Sequence, residues 1–120
     1  MLAHSPACRV LMLIIIGWMA ASRIDAADAP HEYFENHVRP LLVDRCLKCH
    51  GASEPKGGLR LDSREAALDG GETGPAIVPG KPKDSLFISA INYGDVYQMP
   101  PKSKMPADEI ATLTKWVEMG

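Results

Sequence analysis

Two cysteines and a histidine fall within five residues in the stretch Arg45-Cys46-Leu47-Lys48-Cys49-His50-Gly51. Four kinds of chemistry use such a group: a disulfide, a redox-active dithiol, part of a zinc site, or covalent attachment of haem. A disulfide is the default for two cysteines in an oxidising compartment. Across only two intervening residues it closes a tiny loop, and the entropic gain of a bridge grows with loop size. A thioredoxin-like dithiol needs a βαβ context, and no segment of this chain reads as a strand. A zinc site takes four ligands, usually with a second pair, whereas His31 and His37 lie upstream at no recognised spacing. The pattern C-x-x-C-H is that of haem attachment. One turn of chain sets Cys46 and Cys49 along one porphyrin edge, where their thiols add to the vinyl groups. His50 then lies under the ring as the proximal ligand of the iron.

A haem that carries electrons takes a second axial ligand, and methionine in that position raises its potential. The stretch Gln98-Met99-Pro100-Pro101 puts a methionine in a proline-held loop just before the last helical segment. A buried methionine on a helix is ordinary core filler, but Met99 falls outside any helical pattern, and it is the expected distal ligand. Met105, also followed by a proline, is the alternative. A bis-histidine iron using His31 or His37, or an open sixth position, completes the set. His50 should hold its ring by a bond from its other nitrogen to a backbone carbonyl, with Pro55 in the right loop to supply one. Arg60 and Arg64 are candidate partners for the haem propionates, since guanidinium suits carboxylates; solvent-exposed arginines beside a short helix are the plainer alternative. The glycine-rich stretch from Gly70 to Lys81 lacks G-x-x-x-x-G-K-[ST], so it is not a phosphate loop.

These residues need elements to position them. The chain has 120 residues and three cysteines, room for about one small domain. Residues 1–26 read as a secretory signal peptide: Arg9, an apolar run over residues 10–21, then small residues up to a cleavage site after Ala26. The run is too short for a comfortable bilayer span of about 20 residues. Cys8 leaves with this leader, no stable membrane span remains after cleavage, and the product is exported. Residues 27–120 form the working domain. The whole chain carries 13 Lys and Arg against 15 Asp and Glu, without the clustered basic face that nucleic acid requires. A domain this small buries little apolar surface by itself, so a disulfide, a metal or a large cofactor would help it fold.

Apolar residues Tyr33, Phe34, Val38, Leu41 and Leu42 mark a helix over residues 31–45, with Pro40 kinking or restarting it. Asp62-Ser63-Arg64-Glu65 reads as a capping box in which Asp62 caps and Glu65 reaches back. The helix it opens runs to about Leu68 and stops at Gly70-Gly71. A second short helix covers residues 84–91, capped by Asp84 or Ser85. Pro106 opens the last helix, whose apolar face is Ile110, Leu113, Trp116 and Val117, and Phe34 should meet Trp116 where first and last helices cross. Long loops join these pieces, which is unusual without a functional reason. The expected fold is all-α: short helices and long loops wrapped around a covalently bound haem.

The sequence "CLKCHG" with a later "MPP" and a terminal amphipathic helix resembles a small class I-type cytochrome c. More specifically, "VRPLLVDRCLKCHG…KGGLRLDSREAALDGGETGPAIVPGKPKDSLF…MPP" resembles the planctomycete-type cytochrome c domain over about residues 34–120. The resemblance implies one haem c held by Cys46, Cys49 and His50, with Met99 as distal ligand. It also implies that the domain stands at the start of a larger exported protein, with further domains beyond Gly120. The function expected is one-electron transfer by an exported mono-haem cytochrome to a redox partner protein. The alternatives are a haem module feeding a fused catalytic domain and a ligand-sensing or peroxidase-like protein with an open sixth site. In any of these the domain by itself is better described as an electron carrier than as a catalyst.

Overall fold

Pro40 has no amide hydrogen, and its ring would press on the carbonyl of residue 36 in a regular α-helix. The chain answers with a wide turn. In this computed structural model, which describes residues 28–120, the first helical segment has three parts: α1 (Asp28–Tyr33), a π-helical stretch (Phe34–Val38) and α2 (Arg39–Arg45). Arg39 N–H donates to Phe34 O, five residues back, and Pro40 falls in the first turn of α2, where a missing donor costs nothing. The kink expected at Pro40 is therefore a local change of helical register. The leader assigned to residues 1–26, with Cys8 in it, lies outside the described residues.

Six further elements follow among the described residues. After α2 come α3 (Leu47–His50), a 3-10 turn (Lys56–Gly58) and α4 (Arg64–Asp69). A second 3-10 turn (Pro82–Asp84) leads into α5 (Leu86–Ile91), and α6 (Ala107–Glu118) is last. Among the described residues there is no strand, only an isolated bridge between Gly71 and Gly74. The all-α expectation holds for these residues.

The core is built where the first segment meets α6. Val38 and Leu42 face Ile110, Leu113 and Val117, and α5 adds Phe87, Ile88 and Ile91. Val38 and Leu113 are both 0% exposed, as expected for the centre of a helix crossing. The Phe34 and Trp116 rings pack at 5.7 Å between centroids, as expected, and Phe87 meets Trp116 edge-on at 6.2 Å. Polar contacts tie the same two segments. Tyr33 Oη donates to Thr112 O at 3.1 Å, and the Arg45 guanidinium grips both Glu109 carboxylate oxygens at 2.9 and 3.1 Å.

Two caps differ from the sequence expectation. At α4 the cap is Ser63, whose Oγ accepts from Ala66 N at 3.2 Å. Asp62 is drawn away by Arg60, which binds both its oxygens at 2.8 and 3.0 Å. A charged fork outcompetes a single backbone N–H for the same carboxylate. The helix then ends at Gly70, with φ of 80°, a left-handed position that suits glycine. At α5 Ser85 occupies the cap position but makes no capping bond. It is buried, and its Oγ accepts from Val78 N at 2.9 Å while donating to Lys81 O at 2.9 Å.

Ser85 thus fastens the loop before α5 from the inside. Ser85→Ala leaves the Val78 N–H unpaired and is expected to cost about 1–3 kcal/mol. Urea unfolding of the two proteins measures it, and an unchanged midpoint would show that the staple is dispensable.

Candidate haem site

The motif sits on a single helical turn. Cys46 N–H donates to Leu42 O at 2.9 Å, closing α2, and Cys46 O accepts from Cys49 N at 3.1 Å and His50 N at 2.9 Å. Gly51 ends the turn because a Cβ there would lie 2.6 Å from Leu47 O. Both thiols are free and half-buried. Burial pushes the Cys46 thiol up to about 11; the adjacent Arg45 charge opposes this and Cys49 adds to it. A redox-active dithiol works through a lowered thiol pKa, so the Cys46 environment speaks against that reading.

His50 is held at two points. Its ring Nδ1 lies 3.1 Å from Leu59 O, and its own carbonyl accepts from Leu61 N at 2.8 Å. A carbonyl can only accept, so the ring bond requires hydrogen on Nδ1. That tautomer presents the Nε2 lone pair to a metal. The carbonyl expected from Pro55 comes from Leu59 instead, because Pro55 O is taken by Gly58 N at 3.1 Å in the intervening 3-10 turn. Gly57 and Gly58, with φ of 61° and 69°, let that turn fold back and bring Leu59 to the histidine. Sequence reasoning identified the need for a carbonyl and missed its source; the Gly57-Gly58 pair ahead of Leu59 was the available signal.

The two methionines occupy different settings. Met105 is 4% exposed and belongs to the core cluster. Met99 is half-buried in the loop between α5 and α6. Its N–H donates to Ala90 O at 2.9 Å, and Tyr93 Oη donates to Pro100 O. The loop is therefore tied to the end of α5 on both sides of the Met99-Pro100 peptide. The turn that starts it is tight: Gly94 N–H donates to Ser89 O at 2.9 Å, and a Cβ at Gly94 would lie 2.4 Å from Ser89 Oγ. Tyr93 was not singled out from the sequence, and nothing in its spacing marks it.

His31 and His37 are exposed, and the His37 ring leans on Tyr33 at 5.0 Å. Among the described residues no three His, Cys, Asp or Glu side chains converge to hold an ion, so a four-coordinate zinc site has no donor set there. Arg60 is engaged with Asp62, whereas Arg64 stands at the rim of a cavity of about 480 Å³ walled by Phe34, Leu47, Leu61 and Trp116. None of Cys46, Cys49, His50 and Met99 lines that cavity.

The residues fit a covalently held haem: two unbonded thiols, an imidazole already committed to the right tautomer, and a tethered methionine loop. The set resembles that of the cytochrome c-like haem proteins, and the likeness implies haem c binding. The model of the Planctomycete cytochrome C family matches residues 46–103. The matched stretch opens on Cys46 and takes in His50 and Met99, while Met105 lies beyond it. No curated protein and no solved structure matches the chain.

The buried thiol has a measurable consequence in the haem-free chain. Its folded value of about 11 lies above the ordinary 9.0, so the folded state favours the protonated form. Its contribution to stability is present below pH 9 and is lost as pH rises from about 9 to 11. Iodoacetamide at pH 8 should accordingly label Cys46 more slowly in the folded chain than in urea. Peptide mapping of the label checks this; equal rates would mean that the thiol is not shielded.

Proposed function

We propose that this protein is an exported mono-haem c-type cytochrome that passes single electrons, with His50 and Met99 as the axial ligands. The observation that carries the reading is the Nδ1 contact of His50 with Leu59 O at 3.1 Å, beside two free thiols. It is the arrangement that an iron-binding imidazole needs before the metal arrives. Cys46 and Cys49 would hold the porphyrin edge, and His50 Nε2 would face the iron. Haem c, when bound, supplies a one-electron iron couple. The protein's own contribution is to fix ligand directions and keep the surroundings dry.

Met99 is favoured over Met105 on three grounds. Its side chain is not committed to the core, its loop is anchored to α5 on either side, and it falls within the matched family segment. A methionine held in place by its own loop lets the iron change charge without changing partners, which suits electron transfer. Export is supported by the usual extracytoplasmic setting of cytochrome c domains and by the signal-like leader. No described helix is long and apolar enough to cross a membrane. A redox partner protein, or a catalytic domain fused beyond Gly120, would receive the electron.

The test is optical. The chain is made with haem-attachment machinery present, and oxidised and reduced spectra are recorded with and without carbon monoxide. Covalent haem, slow or absent carbon monoxide binding, and a sulfur-ligation band that disappears in Met99→Ala are the expected outcomes. Rapid carbon monoxide binding by the unaltered protein would point to an open sixth site and sink the His/Met assignment. An unchanged spectrum in Met99→Ala would move the ligand elsewhere, with Met105→Leu the next variant to make.

A further inference from the structure

Five glycines, Gly57, Gly58, Gly70, Gly71 and Gly74, fall in two loops that meet at Leu59. Four of them have a backbone reason to be glycine: φ is 61° at Gly57, 69° at Gly58, 80° at Gly70 and 102° at Gly74. Gly71 has none, since it is not among the positive-φ residues. What demands glycine there is contact. A Cβ on Gly71 would lie 2.5 Å from Gly57 O, 3.2 Å from Leu59 N and 3.3 Å from Leu59 Cβ. Two backbones meet at this point, and Glu72 N–H seals them by donating to Gly57 O at 2.8 Å.

The surface that presses on Leu59 is stiff. Gly71 and Gly74 exchange backbone bonds at 3.1 and 2.9 Å, and a Cβ on Gly70 would lie only 2.2 Å from Gly74 O. The loop over residues 70–74 is thus a closed pad, fixed to the end of α4. On its other side, the residue it touches is the one whose carbonyl faces His50.

We propose that Gly71 is a positioning residue for the proximal histidine: the pad at residues 70–74 seats the Lys56–Gly58 turn and so sets how closely Leu59 O approaches His50 Nδ1. The inference rests on His50 being the proximal ligand. Its consequence follows from ligand basicity. A firm Nδ1–H···O bond makes the imidazole a stronger donor and favours the ferric iron. Displacing Leu59 slackens the bond, weakens the donor and moves the reduction potential in the positive direction.

Two holoprotein variants test it. Gly71→Ala adds a Cβ against Gly57 and Leu59 without asking for an unusual φ. Gly80→Ala is the control, for there φ is 77° but a Cβ would meet nothing within 4 Å; it strains the backbone away from the pad. Gly71→Ala should shift the ¹⁵N resonance of His50 Nδ1 toward a weaker hydrogen bond and raise the midpoint potential. Gly80→Ala should lower the unfolding midpoint and leave both readings at the wild-type values. A wild-type resonance and potential in Gly71→Ala would overturn the proposal, as would equal shifts in both variants. If Gly71→Ala does not fold, amide exchange of the unaltered protein decides. The Glu72 and Leu61 amides should open together at one rate, and independent opening would overturn the proposal. A wild-type chain that attaches no haem would instead overturn the reading of His50, and the exchange comparison would still report on the pad.

Discussion

An imidazole has two nitrogens, and a ligand must be told which one to offer. That choice is the constraint on which the rest of this structure depends. It is made by one backbone carbonyl, Leu59 O, at 3.1 Å from Nδ1 of His50. The carbonyl comes from the chain that leaves the motif, turns through Lys56–Gly58 and returns alongside His50. The His50 ring is therefore oriented by main chain, which has no rotamers to explore and no charge to titrate. A side-chain partner would have tied the site to pH and to side-chain entropy.

This economy suits a small chain. The elements are short, and α6, with 12 residues, is the longest α-helix among the described residues. Isolated helices of such length are marginal in water, and most of their stability comes from packing. Here packing is concentrated at one crossing, where Val38 and Leu42 meet Leu113 and Val117 beside the Phe34–Trp116 pair. The motif helix α3 has only four residues and no capping bond of its own. It is held by what lies around it: α2 before it and the returning strand-like stretch at Leu59 and Leu61 after it. The C-x-x-C-H motif is thus positioned by its neighbours more than by its own helical propensity.

Much of this could be read from residue types. The C-x-x-C-H spacing pointed to haem, and the matched family agrees. Periodicity gave α6 and its apolar face, and the crossing of Phe34 with Trp116 followed from placing aromatics near both ends. What could not be read depended on competition between neighbours. Asp62 looks like a cap until Arg60 is seen to hold both its oxygens. Ser85 looks like a cap until burial turns it toward Val78 and Lys81. Pro55 looks like the source of the accepting carbonyl until the glycine turn claims its oxygen for Gly58. In each case the local pattern was sound, and a nearer or better-oriented partner won. The role of Tyr93 in tying the Met99 loop was invisible for a related reason, since the left-handed φ of 62° that aims it is not a property of tyrosine.

The π-helical stretch at Phe34–Val38 has a consequence for how this chain tolerates length change. A wide turn holds one residue more than the α-helical turn it replaces, so it takes up that residue without rotating the two halves of the first segment against each other. Each residue in a helix advances the chain by about 100° around its axis. Removing one residue between Glu35 and His37 would let an ordinary α-helical turn take its place, with Tyr33 and Phe34 still on the side that meets Thr112 and Trp116 and Val38 and Leu42 in their places. The turn therefore works as slack in the residue count: it stores one residue while the anchoring aromatics and the helix that leads to Cys46 keep their faces aligned along one continuous rod.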